Sequence, residues 1–175
     1  MQKTINELAS SLNKQFAQPQ KSERWAIYRL ILPVVDFANR DNKFSDQFEY
    51  NQTGENQNSL SVDIALLDDN KPVLKIEAKG LGRTISKGQI EKYVKDGERG
   101  IVSNGQNWLL WYEGKTKLIG ILGSNSERVS LDALSEIVEF IQLEPVLSNK
   151  WETSDGDTRP SIRPKRQKKI AQAIR

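Results

Sequence analysis

Three residues near the middle of the chain have types and spacing that could do chemistry: Asp63, Glu77 and Lys79. They sit in the run Val62-Asp-Ile-Ala-Leu-Leu-Asp-Asp-Asn-Lys-Pro-Val-Leu-Lys-Ile-Glu-Ala-Lys79. Its composition predicts two short strands, Val62 to Leu67 and Val73 to Lys79, joined by the polar connection Asp68 to Pro72. On the second strand alternate side chains share a face, so Lys75, Glu77 and Lys79 project to one side and Leu74, Ile76 and Ala78 to the other. If the strands pair, Asp63 approaches Glu77 from the neighbouring strand.

Two carboxylates a few ångströms apart repel each other unless a cation lies between them. Oxygen-only ligands suit Mg²⁺ (or Mn²⁺), which keeps several waters and uses one or two carboxylates. Such an ion lowers the pKa of a bound water and neutralises charge growing on a phosphate. A lysine two residues along the strand can orient that water or offset transition-state charge. The chemistry that fits is phosphodiester hydrolysis, with Asp63, Glu77 and the Ala78 carbonyl as metal ligands and Lys79 as the catalytic cation. Against it stands a plain alternative, a solvated strand face on which Glu and Lys alternate as a weak cross-pair.

The 175 residues fit one domain with a tail, enough for a proper core. No apolar run is long enough to span a membrane and no signal peptide opens the chain, so a cytoplasmic protein without a membrane partner is expected. With no cysteine, disulfides, thiol catalysis and thiolate metal sites are excluded; with no histidine, so are Ser-His-Asp triads and the usual zinc sites. Without imidazole, activity should rise with pH into the alkaline range. The net charge of +3 hides an asymmetry. Seven of the 26 basic residues lie in 158–175, which holds no acid, so the remaining 19 face 23 acids, a net of −4.

The elements that must position the triad read as follows. Thr4-Ile-Asn-Glu7 is a capping-box pattern opening a helix with Ile5, Leu8, Leu12 and Phe16 on one stripe. A second helix runs from near Ser22 to about Asn39, apolar nearly all round and so expected to be buried, with Pro33 kinking or splitting it. Glu23, in its first turn, suits either the positive helix end or a metal site. Phe44 to Asn51 reads as a strand and 52–59 as a loop. After the central hairpin, Gly80-Leu-Gly82 leads to a helix from about Ser86 to Gly97, on which Gln89 and Tyr93 share a face. Taken singly, Gln89 reads as an ordinary surface residue and Tyr93 as a packing residue. Strands follow at Gly100 to Ser103, Trp108 to Tyr112 and Thr116 to Leu122, with Asn104-Gly105 a strong turn signal. Ser130 caps a last helix carrying Leu131, Leu134, Val138 and Ile141. A helix between the strands ending at Lys79 and starting at Gly100 is compatible with a crossover, so the class is α/β (α+β), a mixed sheet with helices on its faces. The domain spans 1–147, and 148–175 is a polar linker and basic tail.

Five blocks occur in order: Arg29-Leu-Ile-Leu-Pro-Val-Val35, Val62-Asp-Ile-Ala-Leu-Leu67, Lys75-Ile-Glu-Ala-Lys79, Gly88-Gln-Ile-Glu-Lys-Tyr93 and Gly100-Ile-Val-Ser-Asn-Gly-Gln-Asn-Trp108. Together, over roughly residues 20–122, they resemble the N-terminal nuclease domain of type I restriction enzyme R subunits, in the PD-(D/E)xK superfamily. The resemblance implies a restriction-endonuclease-like fold. It assigns Asp63, Glu77 and Lys79 to metal-binding and catalytic positions. Gln89 and Tyr93 are assigned to a glutamine–tyrosine motif linked to DNA contact or catalysis, and Glu23, more loosely, to a helical acid near the metal. Val62 stands where the family name has proline. The R subunits' ATP-driven motor has no counterpart, since no G-x-x-x-x-G-K-[ST] loop occurs.

The function expected is a metal-dependent DNA endonuclease of a restriction, defence or mobile-element system, working alone or with other restriction-system subunits. The alternative is a non-catalytic DNA-binding or assembly module that keeps the nuclease fold. Beside such a fold, Arg163, Lys165, Arg166, Lys168 and Lys169 are expected to bind DNA phosphates. Double-strand cleavage needs two sites, hence a homodimer or two encounters.

Overall fold

The computed structural model describes residues 4–51, 61–123, 128–143 and 151–153. The expected loop at 52–59 and the basic tail both lie wholly outside the described residues.

The first helix, α1 (Ile5–Phe16), is closed by the capping box its sequence announces. The Glu7 N–H donates to Thr4 Oγ1 at 3.3 Å, and the Thr4 N–H donates to Glu7 Oε2 at 2.6 Å. This reciprocal arrangement satisfies donors that a helix start leaves bare. Leu8, Ala9 and Leu12 face the core. The second helical segment is continuous but changes pitch: α2 (Glu23–Ala26), a π turn (Ile27–Ile31), then α3 (Leu32–Ala38). The cause is Pro33, which has no N–H to give to the preceding turn. The ladder widens just before it, where the Leu32 N–H reaches the Ile27 carbonyl five residues back. The sequence's expectation of a mostly buried helix holds for Leu30, Ile31, Val34, Val35 and Phe37. It fails for Tyr28, which is 58% exposed because the wide turn carries it outward.

Seven strands form one sheet in chain order: β1 (Ser45–Asn51), β2 (Ser61–Asp68), β3 (Lys71–Ala78), β4 (Arg99–Ser103), β5 (Asn107–Tyr112), β6 (Lys115–Gly120) and β7 (Glu152–Thr153). All neighbours are antiparallel except β3 and β4, which run parallel. That pair is the crossover expected from the sequence, and its connection carries α4 (Gly88–Glu91). The β2–β3 turn is tighter than the five-residue connection expected. Asp69 and Asn70 both take left-handed φ, 45° and 62°, as a two-residue hairpin of matching twist requires. Pro72 accordingly lies inside β3, opposite Leu67, where the register shifts.

Most of the helical mass covers one face. Leu8, Leu12, Leu30, Val34, Ile64, Leu66, Ile76, Ile101, Trp108 and residues of α5 (Leu131–Gln142) make the main core. On the other face Val62, Ala65, Leu67, Val102, Ile90 and Tyr93 make a smaller one. Arg99, at the start of β4, is buried and ends α5: its guanidinium donates to the Phe140, Ile141 and Leu143 carbonyls. A cation there meets carbonyls that the helix leaves without partners.

Two further expectations are corrected. The helix awaited over 86–97 is a single turn, because its polar groups take other partners. The Gln89 side chain folds back to accept the Ser86 N–H at 2.8 Å, and the Tyr93 carbonyl is taken by a buried lysine. The sheet also reaches past residue 147. β7 pairs with β6, and Trp151 lies on Phe140 with ring centroids 5.8 Å apart, so an aromatic anchors a stretch that reads as linker.

Candidate functional site

β2 and β3 place Asp63 and Glu77 at the same level, one step beyond their last paired residues, Ile64 and Ile76. There the strands stop exchanging backbone bonds, and a side chain takes over. The Asp63 carboxylate accepts the Ala78 N–H at 2.7 Å. On its other side the β1–β2 register passes from Phe48↔Ile64 to Tyr50↔Val62 over Glu49, which has a left-handed φ of 49°. Beyond Ala78, the Lys79 N–H donates to the Ser103 carbonyl at 2.8 Å, so β4 fixes the backbone that carries the lysine.

The Lys79 ammonium lies 2.7 Å from Glu77 Oε1 and 3.8 Å from Glu23 Oε2. Side-chain exposure rises outward from 12% at Glu77 through 23% at Lys79 to 49% at Glu23, so the group forms a rim at the end of β3. The last member arrives through a close backbone approach. A Cβ on Gly80 would lie 2.4 Å from the Lys21 carbonyl oxygen and 3.4 Å from the Glu23 nitrogen. Only glycine lets the segment that starts α2 sit on the end of β3.

The electrostatics follow from this crowding. Burial pushes the Glu77 carboxyl above its ordinary value of 4.5, and the bond from Lys79 only partly offsets it; the Asp63 charge pushes the same way as burial. Burial pulls Lys79 downward, but the Glu77 hydrogen bond and the charges of Glu77, Glu23 and Asp63 outweigh it and raise its pKa above 10.5. Lys79 therefore remains protonated at neutral pH. A further cation acts on Glu77 from the α4 connection: the charge of Lys92, exposed and directly after the last residue of α4, slightly opposes the rise of the Glu77 pKa. Sequence reading missed Lys92, because it lies between the two motif residues and nothing in its spacing ties it to β3.

Of the residues expected at the site, the structure brings Glu23, Asp63, Glu77, Ala78 and Lys79 together. Gln89 caps its own turn and is half-buried. Tyr93 is buried with its ring in the smaller core, and its carbonyl accepts the Lys75 ammonium. Arg163, Lys165, Arg166, Lys168 and Lys169 lie outside the described residues.

Among the described residues no three Asp or Glu side chains are grouped to hold a metal ion. A two-carboxylate set remains, and its chemistry fits a hard divalent cation: two oxygen donors, Asp63 and Glu77, beside a backbone carbonyl at Ala78. Glu77, held in an environment that disfavours its charge, would be relieved by such a cation.

No family model matches the chain, and no curated protein matches it. Among solved structures it is similar to a cryo-EM structure of a DrdV–DNA complex, with a TM-score of 0.61 and 16% identity over 81% of this chain. The chain spans only 14% of the length of that one. At that identity the likeness speaks for the fold, and the mixed sheet flanked by helices is a restriction-endonuclease-like α+β architecture.

Proposed function

We propose that this chain is a metal-dependent DNA endonuclease that hydrolyses phosphodiester bonds with Mg²⁺ or Mn²⁺, within a restriction, defence or mobile-element system. One observation carries the reading: Asp63, Glu77 and Lys79, separated in sequence, meet at the edge where β2 and β3 stop pairing. The DNA in the similar DrdV complex supports the choice of polymer.

Asp63, Glu77 and the Ala78 carbonyl would hold the ion, which supplies an acidified water and neutralises phosphate charge. The chain's own work is positioning. The Ala78 N–H aims the Asp63 carboxylate, and the β4 carbonyl at Ser103 aims Lys79. Because its pKa is raised, Lys79 is a cation and not a base. It donates to the phosphate oxygen on which charge grows, and Glu77 and Glu23 hold it in place until the substrate arrives. A preorganised donor of this kind contributes about 10²–10³ in rate.

The test is cleavage of supercoiled and linear plasmid by the purified chain in Mg²⁺, Mn²⁺ or EDTA, beside Lys79→Ala. Metal-dependent nicking that falls at least roughly 100-fold in the variant is the expected result. A second reading, a binding module that keeps the fold, draws on the same ion pair: Lys79 is locked onto Glu77 and no third acid joins the set. Intact DNA binding with no cleavage in any metal would favour it.

A further inference from the structure

The helical segment that brings Glu23 to the rim has a second side. Gln20, Ser22, Arg24, Trp25, Tyr28 and Arg29 line a shallow depression of about 610 Å³. Arg24 and Arg29 are exposed and have no ion-pair partner among the described residues. Among the described residues its lining holds two cations and no acid. Tyr28 is the most exposed aromatic ring described, while Trp25 is partly buried against the core. The π turn makes this possible, since the wide turn demanded by Pro33 puts Tyr28 and Arg29 outward while Leu30 and Ile31 stay fully buried. A π turn is costly and short, and such turns are frequent at functional sites.

The depression is continuous with the rim. Gln20, Ser22 and Arg24 bracket Lys21 and Glu23, whose backbone rests on Gly80, next to Lys79. The Gly105 turn braces the segment from beneath, against Leu30, and Asn104 bonds the Arg83 carbonyl of the loop that leaves β3. Arginines paired with an exposed ring are what a nucleic-acid strand requires: cations for its phosphates and a flat face for an unstacked base.

Resting on the nuclease reading, we infer that the Arg24–Arg29 face is the track by which a DNA strand with unpaired bases enters the site. Arg24 and Arg29 hold its backbone and Tyr28 stacks on one base. The track therefore favours single-stranded or opened DNA over a closed duplex, whose bases are already stacked.

The test measures binding and needs no cleavage. The full chain in EDTA is titrated against a labelled single-stranded oligonucleotide and its duplex across a salt series, with thermal melts to verify folding. Tyr28→Ala should weaken single-strand binding on the order of tenfold, with a much smaller effect on duplex, and Tyr28→Phe should restore it. Replacing Arg24 and Arg29 together with alanine should flatten the single-strand salt slope by about 1.4, two contacts at about 0.7 each. Unchanged affinity in Tyr28→Ala, an equal loss on both DNA forms, or an unchanged slope in the arginine double variant would overturn the inference. So would a change in self-association with DNA affinity intact, which would assign the face to a protein partner. Plasmid cleavage with unaltered oligonucleotide binding would leave the enzyme standing and remove the track. The reverse result would leave the track without the enzyme.

Discussion

Lys75, within β3, and Lys79, the first residue past its end, lie four residues apart, and the protein treats them in opposite ways. Lys75 is wholly buried: its ammonium donates to Glu98 Oε2 at 2.6 Å and to the Tyr93 carbonyl at 2.7 Å, below the Tyr50 ring at 5.9 Å. Glu98 is itself fixed by the Lys95 N–H. Lys79 stands at the rim among Glu77, Glu23 and Asp63, more acids than it can neutralise. One lysine has a closed set of partners and ties the crossover to the sheet. The other has an open set, with negative charge left over for a second cation. On the proposed reading the difference separates a structural ion pair from a site, and no count of charges along the strand would have revealed it.

The largest break in this comparison comes from Lys75→Ala. Removing one partner of a buried pair strands the other, which costs about 3–5 kcal/mol. Set against a typical stability of about 5–15 kcal/mol, this is a large share of the whole. Thermal or urea unfolding should register it, with a melting temperature lower on the order of 10 °C. Lys75→Met combined with Glu98→Gln should recover much of the loss, because the pair goes together and the glutamine oxygen can still accept the Lys95 N–H. Lys79→Ala, by contrast, should move stability by no more than about 1 kcal/mol while lowering the proposed cleavage at least roughly 100-fold. A Lys75 variant as stable as wild type would mean that the crossover is held by its apolar contacts, Ile90 and Tyr93, alone.

The two lysines also mark what the sequence could convey. The alternation of β3 was legible, and with it the common face of Lys75, Glu77 and Lys79. Capping at Thr4 and Ser130, the parallel crossover and the Asp63–Glu77 approach were legible too, because each rests on local chemistry or on strand periodicity. What could not be read depends on distant partners. Lys75 is buried because Glu98, 23 residues on, returns beneath it. The same inward turn shortens the expected helix to Gly88–Glu91 and sends Tyr93 into the core. Tyr28 looked like one more apolar residue of a buried helix until Pro33 widened the turn. The 3.6-residue period gives no warning of a five-residue loop in the ladder.

Gly80→Ala sharpens the comparison from the open side. The added Cβ would meet the Lys21 carbonyl at 2.4 Å, and that atom is backbone, so the Lys21–Glu23 segment must shift. The 3.8 Å Lys79–Glu23 pair then lengthens while the Glu77 pair, local to the end of β3, survives. Displacement of a positioning group by about 1 Å can cost up to 100-fold, so cleavage should fall roughly 10- to 100-fold with DNA binding largely kept. Glu23→Gln should reproduce the loss if the cause is this contact. If Gly80→Ala is slow and Glu23→Gln is not, the glycine serves the strand end itself.

The smallest effect is also the most direct reading of the two environments. For Lys75, burial is the dominant influence and the Glu98 bond only partly opposes it, so its pKa falls below 10.5. Between that lowered value and 10.5 the native state binds fewer protons than the unfolded chain. This group therefore adds stability as pH rises through the window. For Lys79 the acids prevail over burial, and its pKa lies above 10.5. Its contribution is whole below 10.5 and is lost as pH climbs through the folded value. Glu77 adds a third sign: burial raises it above 4.5, so its penalty enters as pH rises through the window above 4.5 and vanishes in acid. In metal-free protein labelled at lysine Cε, an alkaline NMR titration should show Lys75 losing its proton before Lys79, with resonances assigned from single Lys→Arg variants. The reverse order would mean that the Glu98 pair, and not burial, governs Lys75. The buried lysine would then be the more strongly held cation of the two.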